Sequence, residues 1–154
     1  MKQIIKLTIN DKEYETAVET NQTLLDLLRY QLGLTGTKKG CELGDCGSCT
    51  VIMDGKPVNS CLILALQANG RTITTIEGIE TEQGLHPIQQ AFVEKGAIQC
   101  GFCSSGMILS GKALLDKKPN PDESDIRKAI SGNLCRCTGY HKIVEAIKSV
   151  NPNQ

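Results

Sequence analysis

Tryptophan is missing from this 154-residue chain, and the other aromatics are scarce, with two Phe and three Tyr. A core drawn from this composition has to be mostly aliphatic. Net charge is missing as well, because seventeen acidic and seventeen basic side chains cancel. No basic stripe marks a nucleic-acid surface, and no run of like charge forms a tail. The start of the chain, Met1-Lys2-Gln3-Ile4-Ile5-Lys6, has charge but no apolar run of the length a secretory signal needs. The longest apolar stretch, Leu62–Leu66, is far too short to span a bilayer. The expected location is therefore the cytoplasm, with neither membrane nor nucleic acid as partner. Phosphate loops, dinucleotide fingerprints and Ser–His–Asp arrangements are absent too, so the chain is not expected to bind FAD or nucleotide itself. The only two histidines, His86 and His141, read as surface or cap residues.

Cysteine, by contrast, is abundant. The eight cysteines form two unlike quartets. The first is Cys41-x4-Cys46-x2-Cys49, closed by Cys61 after 11 more residues. The second is Cys100-x2-Cys103, followed after 31 residues by Cys135-x-Cys137. Disulfides are rare in the cytoplasm, where dense cysteines signify metal or redox chemistry. Four thiolates suit one [2Fe–2S] cluster, and the x4-then-x2 spacing is the plant-type ferredoxin rhythm. Three cysteines of the first quartet share the glycine-rich loop Gly40–Cys49, which lets backbone N–H groups curl round a negatively charged cluster. Lys38 and Lys39 add positive charge just upstream. Zinc quartets usually arrive as two short knuckles, which this loop is not. In the second quartet zinc stays open as a rival on spacing alone. A Cys-x2-Cys redox disulfide has less support, because no thioredoxin-like βαβ pattern surrounds it.

The chain divides in its middle, with four cysteines on each side. Units of this size are short of core, and a metal centre in each would staple them. Residues 3–9 alternate, Asn10-Asp11-Lys12 turns the chain, and Tyr14, Thr16 and Val18 resume a period of two, which predicts a hairpin. Asn21 or Thr23 caps a helix through Leu24, Leu25, Leu27, Leu28 and Leu32, ended by Gly33. Strands over 50–53 and 56–58 flank the turn Asp54-Gly55, and 71–76 reads as a last strand. The segment 77–85 is polar and glycine-punctuated, a linker. Beyond it the period becomes helical, in stripes of Ile88, Ala91 and Phe92, then Met107, Ile108, Leu114 and Leu115. Ile126, Ala129, Ile130 and Leu134 form the third stripe, and Tyr140, Ile143, Val144, Ile147 and Val150 the fourth. The expected fold class is α+β, with a ferredoxin-like unit over 1–77 followed by an all-α helical bundle over 78–154.

Three motifs carry a family resemblance: Gly40–Val51, Gln99-Cys100-Gly101-Phe102-Cys103, and Ser131-Gly132-Asn133-Leu134-Cys135-Arg136-Cys137-Thr138-Gly139-Tyr140. Together they resemble the iron–sulfur subunit of the xanthine dehydrogenase (molybdenum hydroxylase) family over nearly the whole chain. The resemblance implies an N-terminal β-grasp domain and a C-terminal four-helix bundle, each holding one [2Fe–2S] cluster. It implies that Cys41, Cys46, Cys49 and Cys61 bind the first and Cys100, Cys103, Cys135 and Cys137 the second. It also implies hetero-oligomeric partners, a large subunit with the molybdenum cofactor (molybdopterin) and a medium subunit with FAD. Gln99 and Cys137 match positions close to the pterin. Electrons would pass singly from molybdenum through the second cluster, then the first, to flavin, with no substrate chemistry on this chain. Two departures stand out, Glu42 where glycine is frequent and Ser104-Ser105 in place of Thr-Pro. The alternatives are a free-standing two-cluster ferredoxin, which usually is markedly acidic for steering, and a zinc-stapled interaction module.

Overall fold

Alternation in the first strand places Ile5, Leu7 and Ile9 on one buried face. In the computed structural model, which describes residues 1–150, this strand is β1 (Lys2–Ile9), and it pairs antiparallel with β2 (Lys12–Glu19). Asn10 and Asp11 both take positive φ, 51° and 63°, the left-handed pair that a tight hairpin requires. Asp54 and Gly55 repeat this between β3 (Thr50–Met53) and β4 (Lys56–Asn59), with φ of 49° and 81°. With β5 (Thr72–Thr74) the strands form one mixed sheet in the order β2-β1-β5-β3-β4. Among the described residues, only the β1–β5 pairing is parallel.

A helix crosses this sheet. Thr23 is its cap, accepting from the Asp26 amide at 3.1 Å through Oγ1. One turn of α-helix, α1 (Leu24–Asp26), widens at once into a π turn over Leu27–Gln31. The Leu32 amide donates to the Leu27 carbonyl, five residues back, at 3.0 Å. Leu24, Leu27 and Leu28 bury against Ile5, Leu7, Ile9, Val51 and Ile73 to make the sheet-side core.

Four helices follow: α2 (Pro87–Glu94), α3 (Ser104–Lys117), α4 (Glu123–Ala129) and α5 (His141–Ser149). Their own core gathers Ile88, Phe92, Met107, Leu109, Ile126, Ile143 and Ile147. His86 caps α2 and Asp122 caps α4, each with a reciprocal capping box. The polar segment after β5 is less detached than its composition suggests. Ile79 is buried, and with Ile76 and Ile52 of β3 it joins the helical core. Of the second expected unit, residues 151–154 lie outside the described residues. Among the described residues no helix is long and apolar enough to cross a membrane.

The third helical stripe is shorter than the sequence pattern. α4 stops at Ala129, and Leu134 lies beyond it, 54% exposed. The break falls at Ser131-Gly132-Asn133, where side-chain and backbone hydrogen bonds replace the helical ladder.

Candidate iron–sulfur sites

The loop after Lys39 wraps its own sulfur atoms. Backbone amides of Cys46, Leu43 and Asp45 donate to the Cys41 sulfur at 3.3, 3.2 and 3.3 Å. These bonds, led by those of Cys46 and Leu43, hold the Cys41 thiol down at about 7, against the opposing effect of desolvation. The Cys41 amide reaches the Cys46 sulfur at 3.4 Å, and the Ser48 hydroxyl lies 3.1 Å from that same sulfur. Cys49 and Cys61 are buried beside Leu25, and their thiols are hydrogen-bonded neighbours. Burial first, then that bond to Cys49, push the Cys61 thiol up to about 11.

Glu42 takes φ of 58°, a left-handed conformation in which a non-glycine residue costs about 1–2 kcal/mol. Its carboxylate meets Lys39 Nζ at 3.0 Å, and Asp26 meets the same ammonium at 3.0 Å. The bond to Asp26, then that to Glu42, hold Lys39 above its usual range, so it stays charged, with two carboxylates offsetting that charge beside the loop.

Cys103 is the N-cap of α3, at the positive end of a 14-residue helix. Burial, then a hydrogen bond with the Cys135 thiol, push Cys103 up to about 12. For Cys135 burial acts upward most strongly of any single cause, but the Thr138 hydroxyl at 3.0 Å and amide at 3.4 Å, joined by the Cys137 amide and the Cys103 thiol, lower the thiol on balance. The Cys135 amide donates to the Tyr140 hydroxyl at 3.0 Å, which ties the Cys135–Cys137 link to the start of α5. Cys100 and Cys137 are exposed, as is Gln99.

All eight cysteines are free thiols. Among the described residues, no three His, Cys, Asp or Glu side chains converge closely enough to hold a single metal ion. Thiols meet instead as neighbouring pairs, Cys49 with Cys61 and Cys103 with Cys135, while Cys41 and Cys46 exchange amide-to-sulfur bonds. The donor set fits an iron–sulfur cluster, with thiols ringed by N–H donors and space kept by missing side chains. A Cβ on Gly40 would sit 2.7 Å from the Cys46 sulfur. His86 is drawn into capping, its Nδ1 accepting from the Ile88 amide at 3.2 Å. Thr138, Ser48 and Asn133 carry no functional signature in the sequence. Their motif positions were visible, but nothing in the residue types shows which atom each one addresses.

Comparison with known proteins agrees in both halves. A family model described as "2Fe-2S iron-sulfur cluster binding domain" matches residues 7–73, and one described as "[2Fe-2S] binding domain" matches residues 75–148. The chain is 51% identical to the nicotinate dehydrogenase small FeS subunit of Eubacterium barkeri, over 94% of this chain and 92% of that one. It is 46% identical to a probable xanthine dehydrogenase subunit of Bacillus subtilis, over 94% and 83%. Among solved structures, quinoline 2-oxidoreductase from Pseudomonas putida 86 superposes with a TM-score of 0.94 at 47% identity, covering 96% of this chain and 91% of that one. The fold and both matched domains are those of a [2Fe–2S] protein. The chain belongs to the iron–sulfur subunit family of the molybdenum hydroxylases, the group that includes xanthine dehydrogenase. Its cofactors are two [2Fe–2S] clusters, and its part in the oxidoreductase is electron transfer rather than substrate chemistry.

Proposed function

We propose that this chain carries electrons between a large subunit holding the molybdenum cofactor (molybdopterin) and a medium subunit holding FAD. Its ligands would be Cys41, Cys46, Cys49 and Cys61 for one cluster and Cys100, Cys103, Cys135 and Cys137 for the other. Residues 1–77 would form the β-grasp unit and 78–154 the four-helix bundle unit, in a cytoplasmic hetero-oligomer. The observation that carries this reading is the fan of three amides on the Cys41 sulfur, which stabilises a thiolate. The clusters, when bound, supply one-electron redox chemistry, so that a two-electron oxidation on a partner can be passed on in single steps.

The chain's own residues set the conditions. Amide and hydroxyl donors on sulfur favour the more negative, reduced state and so raise potential. Burial of Cys49 and Cys61 acts in the opposite sense. Gln99 and Cys137, both exposed, are the positions proposed to face the pterin. Leu43 and Leu62 are 72% and 57% exposed beside the first loop, and Phe102 and Leu134 are exposed beside the second quartet. Apolar side chains so placed suit covered surfaces better than a freely diffusing carrier.

Native purification tests the reading. Co-purifying large and medium subunits, molybdenum, and substrate-dependent reduction of both clusters are expected. Clusters that keep one redox state throughout turnover would sink it. For the ligands, Cys61→Ser should remove one cluster and about half of the iron and acid-labile sulfide, leaving the other signal intact. Full iron content in that variant would refute the assignment of Cys61.

A further inference from the structure

Between the two cysteine quartets lies a side chain that neither quartet uses. Asn133 is 4% exposed, set in the break between α4 and the Cys135–Cys137 link. Its Nδ2 donates to the Gly47 carbonyl at 3.1 Å and approaches Thr50 Oγ1 at 3.3 Å. Its Oδ1 accepts from the Ser110 hydroxyl of α3 at 2.8 Å. A carbonyl only accepts, so the nitrogen must face Gly47, and the oxygen is left for Ser110. Thr50 Oγ1 itself donates to the Gly47 carbonyl at 2.6 Å, so the hydroxyl and the amide grip the same oxygen. Next along the chain, the Leu134 amide donates to the Cys46 carbonyl at 2.8 Å.

We infer that Asn133 is a positioning residue, holding the Cys46–Gly47 peptide against Leu134 and thereby fixing the separation and orientation of the two cysteine sites. The sequence consequence is direct. Leu134 precedes Cys135, and Cys46 is the residue whose carbonyl Leu134 holds. The route from one quartet to the other therefore crosses a single hydrogen bond, and Asn133 keeps that bond short. Steric evidence agrees from both sides. A Cβ on Gly47 would collide with the Gly132 carbonyl and crowd Asn133, and a Cβ on Gly106 would collide with the Gly47 carbonyl. Backbones here approach as closely as glycine allows, a contact that a buried, doubly bonded amide holds in register. Ordinary packing does not require it, because a purely apolar seam would tolerate sliding that directional bonds forbid.

This inference rests on the ligand assignment proposed above, and its test separates the two. The assembled complex is prepared with Asn133→Ala, and iron and acid-labile sulfide are measured first. Two readouts follow: the spin–spin splitting between the two reduced clusters in electron paramagnetic resonance, which falls steeply with distance, and hydrogen exchange at the Leu134 amide. A variant that keeps both clusters, shows an altered splitting and exchanges Leu134 roughly tenfold faster is expected. Unchanged splitting and unchanged exchange with both clusters present overturn the inference. Should the unsubstituted protein lack two clusters, the ligand assignment fails, and exchange at Leu134 alone decides the clamp: faster upholds it, unchanged overturns it. If Asn133→Ala does not fold, Ser110→Ala, which frees one end of the amide, decides in its place. A smaller change of the same kind supports the positioning role, and none overturns it.

Discussion

The hydroxyl of Thr138 lies 3.0 Å from the Cys135 sulfur, and the amide of the same residue reaches that sulfur at 3.4 Å. One residue thus supplies two donors to one thiol, and with the Cys137 amide and the Cys103 thiol they reverse the upward effect of burial on it. Replacing Thr138 by Val keeps the amide and the branched shape but removes the hydroxyl. With Cys135 as a ligand, the hydroxyl's bond is stronger to the more negative reduced cluster, and a difference of about 1 kcal/mol between the two redox states is ~40 mV for one electron. Thr138→Val should therefore lower the potential of the second cluster alone. A redox titration followed by electron paramagnetic resonance checks this. A shift confined to the other cluster counts against it.

Gly47 combines a left-handed φ of 71° with backbone on the far side of its missing Cβ. Gly55 has φ of 81° but open space. Gly55→Ala should cost only the conformational penalty, about 1 kcal/mol. Gly47→Ala should cost that and the displacement of a peptide, roughly 2–4 kcal/mol in all. Thermal unfolding of the two variants side by side checks the difference. Equal losses would mean that the Gly47 contact is softer than its geometry implies.

His86 caps α2 through Nδ1, which must be unprotonated to accept from Ile88. Burial first, then the Lys112 ammonium of α3, hold this histidine below its usual 6.5, with Asp116 opposing. A folded value below the unfolded one means that the contribution is complete above pH ~6.5 and is lost as pH falls through the folded value. His86→Asn retains a capping side chain without a titration in this range. Urea unfolding at a series of pH values should show an acid-side loss in the parent that the variant lacks. Parallel curves for the two would remove His86 as its source.

Much of the architecture was legible because side-chain pattern and turn chemistry reported it directly. Ile5, Leu7 and Ile9 alternate, and all three are buried. Asp54-Gly55 called for a left-handed pair, and both residues adopt it. The capping by Thr23 and the acidic start of α4 follow from side-chain oxygens near orphan amides. Cys41 and Cys46 meet within one loop, as their short spacing allows, whereas Cys61 and Cys135 come beside Cys49 and Cys103 only through the fold. Pattern failed where the backbone itself was the participant. Leu134 continues an apolar stripe, yet its amide bonds to Cys46 and its side chain faces outward, because Gly132 and Asn133 had already ended the helix. The π turn at Leu27–Gln31 was equally hidden. Leu24, Leu25, Leu27 and Leu28 read as helical at any pitch, so their spacing does not distinguish the wider turn from an α-helix. Asn133 has no periodic signature, since its partners stand 86 residues away at Gly47 and 23 away at Ser110.

The segment from Glu80 to Gln83 is exposed, and it makes only a small bridge of its own between Thr81 and Gly84. It is the natural target for a protease, and a glutamyl endopeptidase would find Glu80 and Glu82 there. Cutting it should nevertheless leave one particle. Ile52 belongs to the helical core, and Asn133 and Leu134 grip the first loop, so non-covalent attachment outlasts the peptide link. Nicked protein that still elutes as a single species, and separates only in denaturant, is the expected result. Covalent continuity is then dispensable once folding is complete, and the seam between the halves alone keeps both cysteine quartets in one body.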